Sequence, residues 1–462
     1  VKLVLGLLIP GQLEFLDRDE NRFRGRAHRG LRGFPRLREP GCFAWRTGSG
    51  DPMPNPHNHI KNNRLRSTFS SCFLSNGRYR LLITTRGTGF STHKGYLLTP
   101  WRADRVEDPD GVFVYLRDRE TGRFWSVGAH PVPNTGPTEA RWCPGIFTIT
   151  RVEAGIEARM EVCVSPEHDA ELRRISLRNL ADHPRTVELT TFAEVVLNDP
   201  VAHAAHPVFS KLFLQTEYAP SQGALLVHRR PQAKGVRHPW MVHSLVGHGD
   251  LQWETDRTRF LGRGRSPESP AALAGETPLS GTTGSVLDPA LSLRCTLDLA
   301  PQGTGEAVFL LGAAPHREGV IALTEAYATA VQVENAFRQA RAQARAELAR
   351  LAVTEEEAGR FQAWAGTLLY AHPDPGITPE APDCRPVDLA ELTRHGLQPD
   401  RPFALFRART PAGATHLAAL HKAHRCWRAW GLPVDLVVVV DGDLFSGVTP
   451  GEGDPPVLHA AK

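Results

Sequence analysis

At 462 residues the chain is long enough for more than one domain and for at least one large core. A composition of 41% hydrophobic and 23% charged residues is that of a soluble globular protein, and a net charge of +4 is too small to argue for nucleic acid. Seven cysteines with no CxxC or Cys/His spacing argue against a zinc site and read as reduced thiols filling cores, while the early apolar run Leu3 to Ile9 is too short to span a membrane.

Residues 1–69 read as a basic leader. The first 66 residues hold 13 Lys and Arg against 6 Asp and Glu, with much Gly and Pro and no sustained period, so disorder is expected. His57 and His59 hint at a metal site, but no second half of such a motif follows. From residue 70 the texture changes. Tyr79, Leu81 and Ile83 alternate with more polar neighbours, as do Ile156 to Val164 and Leu291 to Leu299, and period two with one apolar face marks half-buried antiparallel strands. Similar runs occur near 112–117, 187–196, 209–217, 224–229 and 307–311, with turn residues at 118–122 and 198–200. Residues 70–315 are therefore assigned to a mainly β fold, a large antiparallel sandwich with room for more strands than an immunoglobulin-sized domain holds.

The period then switches. Ile321, Leu323, Tyr327, Val331, Phe337, Ala340, Ala344, Leu348 and Leu351 recur at helical spacing, which predicts a long helix over 317–353, broken near 331–333. Thr354 with Glu357 forms a capping-box pattern that opens a second helix to Tyr370. Residues 316–372 thus read as a helical linker and 373–400 as a Pro-rich loop. The remainder, 401–462, holds a strand at 403–407, a helix at 412–430 and a strand at 434–440, an incomplete α/β unit that reads as truncated.

No Walker loop, GxSxG or HExxH motif is present, and the Gly-rich Arg86 to Phe90 has no helix after it, so it reads as a tight turn. Carboxylates Asp104, Glu107, Asp108 and Asp110 cluster beside Trp101 and Arg102. That mixture suits a sugar: an aromatic face packs on a pyranose ring while Asp and Arg hydrogen-bond its hydroxyls. A charged loop with Trp101 in the core is the alternative. His203 and His206 could serve acid–base work, although the segment reads as loop. His421 and His424 read as a solvated helix face.

The stretch from Leu74 resembles a known family. Leu74-Ser75-Asn76-Gly77-Arg78-Tyr79 and Gly87-Thr88-Gly89-Phe90-Ser91 open the likeness, and Thr99 to Asp104, Tyr115 to Asp118 and Val164 to Pro166 continue it. Ala205 to Phe213, Phe260 to Gly264, Leu279 to Thr282 and Leu287 to Pro289 complete the series. These segments are similar to the front half of family 94 glycosidases and phosphorylases (formerly glycosyltransferase family 36), of the cyclic β-1,2-glucan synthase type. The resemblance implies a galactose mutarotase-like β-supersandwich, a helical linker, and an (α/α)6 barrel carrying the catalytic Asp. It also implies inverting phosphorolysis or glycosyl transfer in the full-length parent, with no cofactor and with inorganic phosphate as co-substrate.

No residue here matches the family's general acid, so no catalytic residue and no metal ligand is nominated. The expected function is carbohydrate binding by a non-catalytic N-terminal part. Trp101, Arg102, Asp104 and Asp110 are expected to face substrate, and His206 and Lys211 to be structural or interface groups. Expected partners are a β-glucan or gluco-oligosaccharide, the missing (α/α)6 domain and a second copy in a homodimer. As an isolated chain it would be cytoplasmic, and its parent synthase an inner-membrane protein. A free-standing binding or scaffold module, or a sandwich with aldose-epimerase activity, are the alternatives.

Overall fold

In the structure, a computed structural model, the residues described are 2–6, 43–46, 64–65, 71–104, 107–133, 138–231, 237–247, 249–370, 402–408, 413–440 and 457–459. The chain divides into two units, residues 56–363 and a second formed by 1–55 with 364–462. Most of the basic leader, including His57 and His59, and the whole Pro-rich stretch 373–400 lie outside the described residues.

Three antiparallel sheets build the first unit. Nine strands make the largest, running in space from Leu214–Ala219 at one edge through Thr304–Ala314, Ala170–Asn179 and Ile156–Val164 to Arg64–Leu65 at the other. A five-stranded sheet centres on Arg185–Glu194, flanked by Pro289–Leu299 and Val112–Asp118. The smallest has four strands between Ser71 and Leu97. Alternation works as the sequence suggests, but many strands are buried on both faces. All seven residues of Val112–Asp118 are buried, so this strand has cover on both faces.

One face of the nine-stranded sheet is covered by helices. Leu172, Leu226, Val242 and Leu310 pack there with Val320, Leu323, Val333, Phe337 and Ala340. The predicted single helix divides earlier than expected, into Arg317–Ala326 and Ala330–Arg350. Thr329 is the reason: its hydroxyl accepts from Gln332 N while the Gln332 side chain accepts from Thr329 N, a reciprocal cap that starts a new helix. On the five-stranded sheet, Phe113, Tyr115 and Phe192 pack under Phe260, Leu261 and Leu273, with Phe192 stacked on Phe260 at 4.5 Å. Between the two sheets, Thr191 Oγ1 and His243 Nε2 lie 2.8 Å apart, and burial pushes that imidazole down to about 4.

The second unit holds one mixed sheet. Strands Phe403–Ala408 and Asp435–Val440 run parallel, with helix Gly413–Ala429 between them in sequence, and Val457–His459 adds a further parallel strand. Lys2–Gly6 pairs antiparallel with Phe403–Ala408 and with Phe43–Arg46. One expectation is corrected here. His424 is buried and its Nε2 lies 2.8 Å from Val434 O. Leu417, Leu420, His424 and Trp427 recur at helical spacing, so His424 belongs to the apolar stripe and not to a solvated face. Among the described residues, no helix is long and apolar enough to cross a membrane.

Candidate carbohydrate-binding site

The loop after Leu97 folds around one carboxylate. Asp110 is buried and accepts three hydrogen bonds from Arg102: from the backbone N at 2.6 Å, from Nε at 3.2 Å and from Nη2 at 2.6 Å. The Arg102 side chain is nonetheless 61% exposed, so the guanidinium is held at its inner edge and open at its outer one. Asp110, with help from the fields of Glu194 and Asp104, raises its pKa further. Trp101 packs against Phe90 with ring centroids 4.9 Å apart and the rings tilted by 30°, and it is half-buried. Asp104 stands apart from the carboxylate clasp, its Oδ1 accepting from Glu107 N at 3.2 Å.

Two further contacts fix this loop to the four-stranded sheet. Gly89 N donates to Asp110 O at 2.9 Å, and Thr88 Oγ1 donates to Asp108 Oδ2 at 2.6 Å. Asp108 is almost wholly enclosed, at a φ of 42°, and burial pushes its carboxyl up to about 6. Gly111 is needed where the loop turns in, since a Cβ there would stand 2.9 Å from the Phe113 ring.

A second element adjoins the loop. The sequence pattern predicts a turn at 198–200, a loop around His203 and a strand over 209–217. The structure instead has helices Pro200–Ala205 and Pro207–Lys211, with the strand beginning at Leu214. Asp199 caps the first by accepting from Val201 N and Ala202 N, and each helix has Pro at its first position, where a missing N–H costs nothing. Arg229 anchors this segment from below: it is buried and donates to Leu197 O, Val196 O and Ser210 O, each at 2.8 Å.

Lys211 closes a four-membered ion-pair ring. Its Nζ lies 2.5 Å from Asp288 Oδ1 and 3.3 Å from Glu194 Oε2, while Arg257 reaches Glu194 at 2.6 Å and Asp288 at 3.4 Å. Burial pushes the Glu194 carboxyl up, but Lys211 and Arg257 together outweigh it and hold it below the ordinary carboxylate range. His206 sits at the junction of the two helices with its ring exposed, and its backbone carbonyl accepts from Ser210 N at 2.9 Å. Loop and helices meet at His203, whose imidazole is lowered by burial, then by Lys211 and Arg229, and feels Asp110 and Arg102 as well.

Of the predicted residues, the structure brings Arg102 and Asp110 into contact, with Trp101 and Asp104 on the same loop, while Lys211 belongs to a separate ion-pair ring whose Glu194 acts on Arg102 through its field. Sequence reasoning missed Glu194, Arg257 and Arg229, each at a strand end or helix start with no motif of its own. Asp288, Lys211 and Arg102 do lie in the segments that carry the family likeness. Lys211 and Asp288, 77 residues apart in the chain, pair directly, and Arg102 lies in the field of Glu194, to which Lys211 is also bound.

Residues 59–330 match the family model described as glycosyl hydrolase 94, supersandwich domain. Among known proteins, the cyclic beta-(1,2)-glucan synthase NdvB of Rhizobium meliloti is 32% identical over 79% of this chain and 13% of its own length. Solabiose phosphorylase of Paenibacillus borealis is 26% identical over 49% of this chain and 29% of its own. The N,N'-diacetylchitobiose phosphorylase of Vibrio furnissii is 26% identical over 32% of this chain and 19% of its own. The chain therefore spans less than a third of the length of each of these relatives. With the family model covering more than half of its residues, the chain belongs to the glycosyl hydrolase 94 supersandwich family.

Proposed function

We propose that this chain is the carbohydrate-binding, non-catalytic sandwich of a β-1,2-glucan synthase or phosphorylase-like enzyme. The observation that carries the reading is the Arg102 guanidinium, clasped on one edge by buried Asp110 and exposed on the other, beside the half-buried Trp101. A preset fork of N–H donors next to an aromatic ring suits a pyranose, which offers hydroxyl acceptors at its edge and apolar C–H groups on its face.

A binding role is favoured over bond breaking by the state of the carboxylates. Asp110 is taken up by Arg102, and Glu194 and Asp288 by Lys211 and Arg257, so all three carboxylates are held in ion pairs within the protein. Asp108 is nearer neutrality but is enclosed behind Thr88. Chemistry is accordingly assigned to the (α/α)6 barrel that the family likeness implies, where inorganic phosphate would act. Val201, Val208, Phe209 and Leu212, on or beside the two short helices, and Leu287 are exposed apolar groups, and we assign them to contact with that domain.

Calorimetric titration with β-1,2-linked gluco-oligosaccharides tests the binding role. Arg102→Ala is expected to weaken affinity at least about tenfold, and Arg102→Lys to restore little, because a lysine cannot reproduce the fork. Equal affinity in all three proteins would remove Arg102 from the site.

A further inference from the structure

Next to the clasp lies a second group of polar side chains with no assigned role. His238 has both ring nitrogens enclosed and without a hydrogen-bond partner among the described residues, and its ring stands edge-on to Tyr96 at 5.8 Å. His203, on the first short helix, likewise has Nδ1 enclosed and unpaired. Leaving an enclosed imidazole nitrogen unmade is costly, and among the described histidines His238 alone has both ring nitrogens in that state. Three such atoms on two residues of one neighbourhood call for a common explanation.

The backbone brings these residues together. Leu97 N donates to Asn198 O at 2.9 Å and Asn198 N to Leu97 O at 3.2 Å, which ties the strand end carrying Tyr96 to the start of the helix carrying His203. His203 and His238 both lie in the field of Arg229. Arg229 itself has nothing to offer a ligand, since its Nε, Nη1 and Nη2 all point at Leu197, Ser210 and Val196. Its role is to hold the wall.

We infer that His203, His238 and Tyr96 form a hydroxyl-binding subsite that extends the Trp101–Arg102 site and takes a neutral sugar unit of the same oligosaccharide. The inference rests on the carbohydrate-binding reading above. The ligand class follows from the chemistry of the wall. A neutral imidazole presents one donor and one acceptor, and a phenol presents both, which matches sugar hydroxyls that also donate and accept. A phosphate or carboxylate would need donors carrying free positive charge. Of the cations in whose field His203 lies, Arg229 is spent on backbone carbonyls, Lys211 on Glu194 and Asp288, and the charge of Arg102 is balanced by Asp110.

The test is calorimetry on the intact chain with a β-1,2-linked glucotriose at neutral pH, where both imidazoles are uncharged. His238→Ala and His203→Ala are each expected to bind at least about tenfold more weakly than wild type. His238→Asn, which keeps a donor and an acceptor, is expected to recover part of the loss, and unchanged unfolding curves would show that the variants fold. Added inorganic phosphate is expected to leave sugar affinity unchanged. Wild-type affinity in both alanine variants would overturn the subsite while leaving the Arg102 site standing, and displacement of the sugar by phosphate would overturn the ligand class. A wild-type chain that binds no glucotriose would overturn the subsite together with the reading it rests on.

Discussion

Replacing Asp108 by Asn removes a carboxylate that folding has to bury. Its carboxyl rises from an ordinary 3.8 to about 6 because burial disfavours the charged form, and the Thr88 hydrogen bond offsets only part of that cost. Between those two values the native protein still holds a proton that the unfolded chain has released. Stability therefore falls as pH rises through the window from about 4 to about 6, and is level above it. The rise corresponds to about 3 kcal/mol at neutral pH, as an order of magnitude. Asn carries no charge, keeps an acceptor for Thr88 and tolerates the positive φ. Asp108→Asn is thus expected to be more stable than wild type near pH 7.5, by up to about 3 kcal/mol, with the gap closing towards about pH 4. Urea unfolding followed by far-ultraviolet circular dichroism across that range measures it. A gap independent of pH, or a wild type more stable at neutral pH, would refute the reasoning.

Three other perturbations follow from the packing. Glu171 is fully buried and joins two sheets, accepting from Arg173 at 2.8 Å, Ser91 Oγ at 2.6 Å and Tyr79 Oη at 3.1 Å. Glu171→Ala strands the Arg173 charge and is expected to cost about 3–5 kcal/mol in urea unfolding, with Glu171→Gln milder; a loss under 1 kcal/mol in the alanine variant (about the surface-pair range) would show the pair is not needed. Gly145 has a φ of 78° and no room, since a Cβ would stand 2.3 Å from Ala340 O, so Gly145→Ala should lower the melting temperature by several degrees, and an unchanged value would mean the hairpin does not rest on that helix. Phe209 is 58% exposed, so Phe209→Ser should leave stability within about 0.5 kcal/mol while reducing binding of an apolar dye; a large destabilisation would place Phe209 in a core.

The sandwich was legible because alternation is a local property, and strands such as Ile156–Val164 and Pro289–Leu299 carry it in plain view. The short helices at 200–211 were not. Asp199-Pro200 and His206-Pro207 are start signals, but five- and six-residue helices contain too few turns to show a period. The place of His424 in the core is masked in the sequence by its neighbours Lys422 and Arg425, although its spacing from Leu420 and Trp427 is helical. In the site, Trp101, Arg102 and Asp110 could be named because they share one loop. The ring of Glu194, Lys211, Arg257 and Asp288 joins four separate segments, and no local pattern announces such a meeting.

The proposed function puts a β-1,2-glucan against Trp101 and Arg102. Saturation-transfer difference NMR tests it most directly, irradiating the protein and reading the sugar protons of a β-1,2-linked gluco-oligosaccharide. Transfer to the sugar in the wild type, lost in Arg102→Ala and in Trp101→Ala, is the expected result. No transfer in the wild type, or equal transfer in all three proteins, would contradict it.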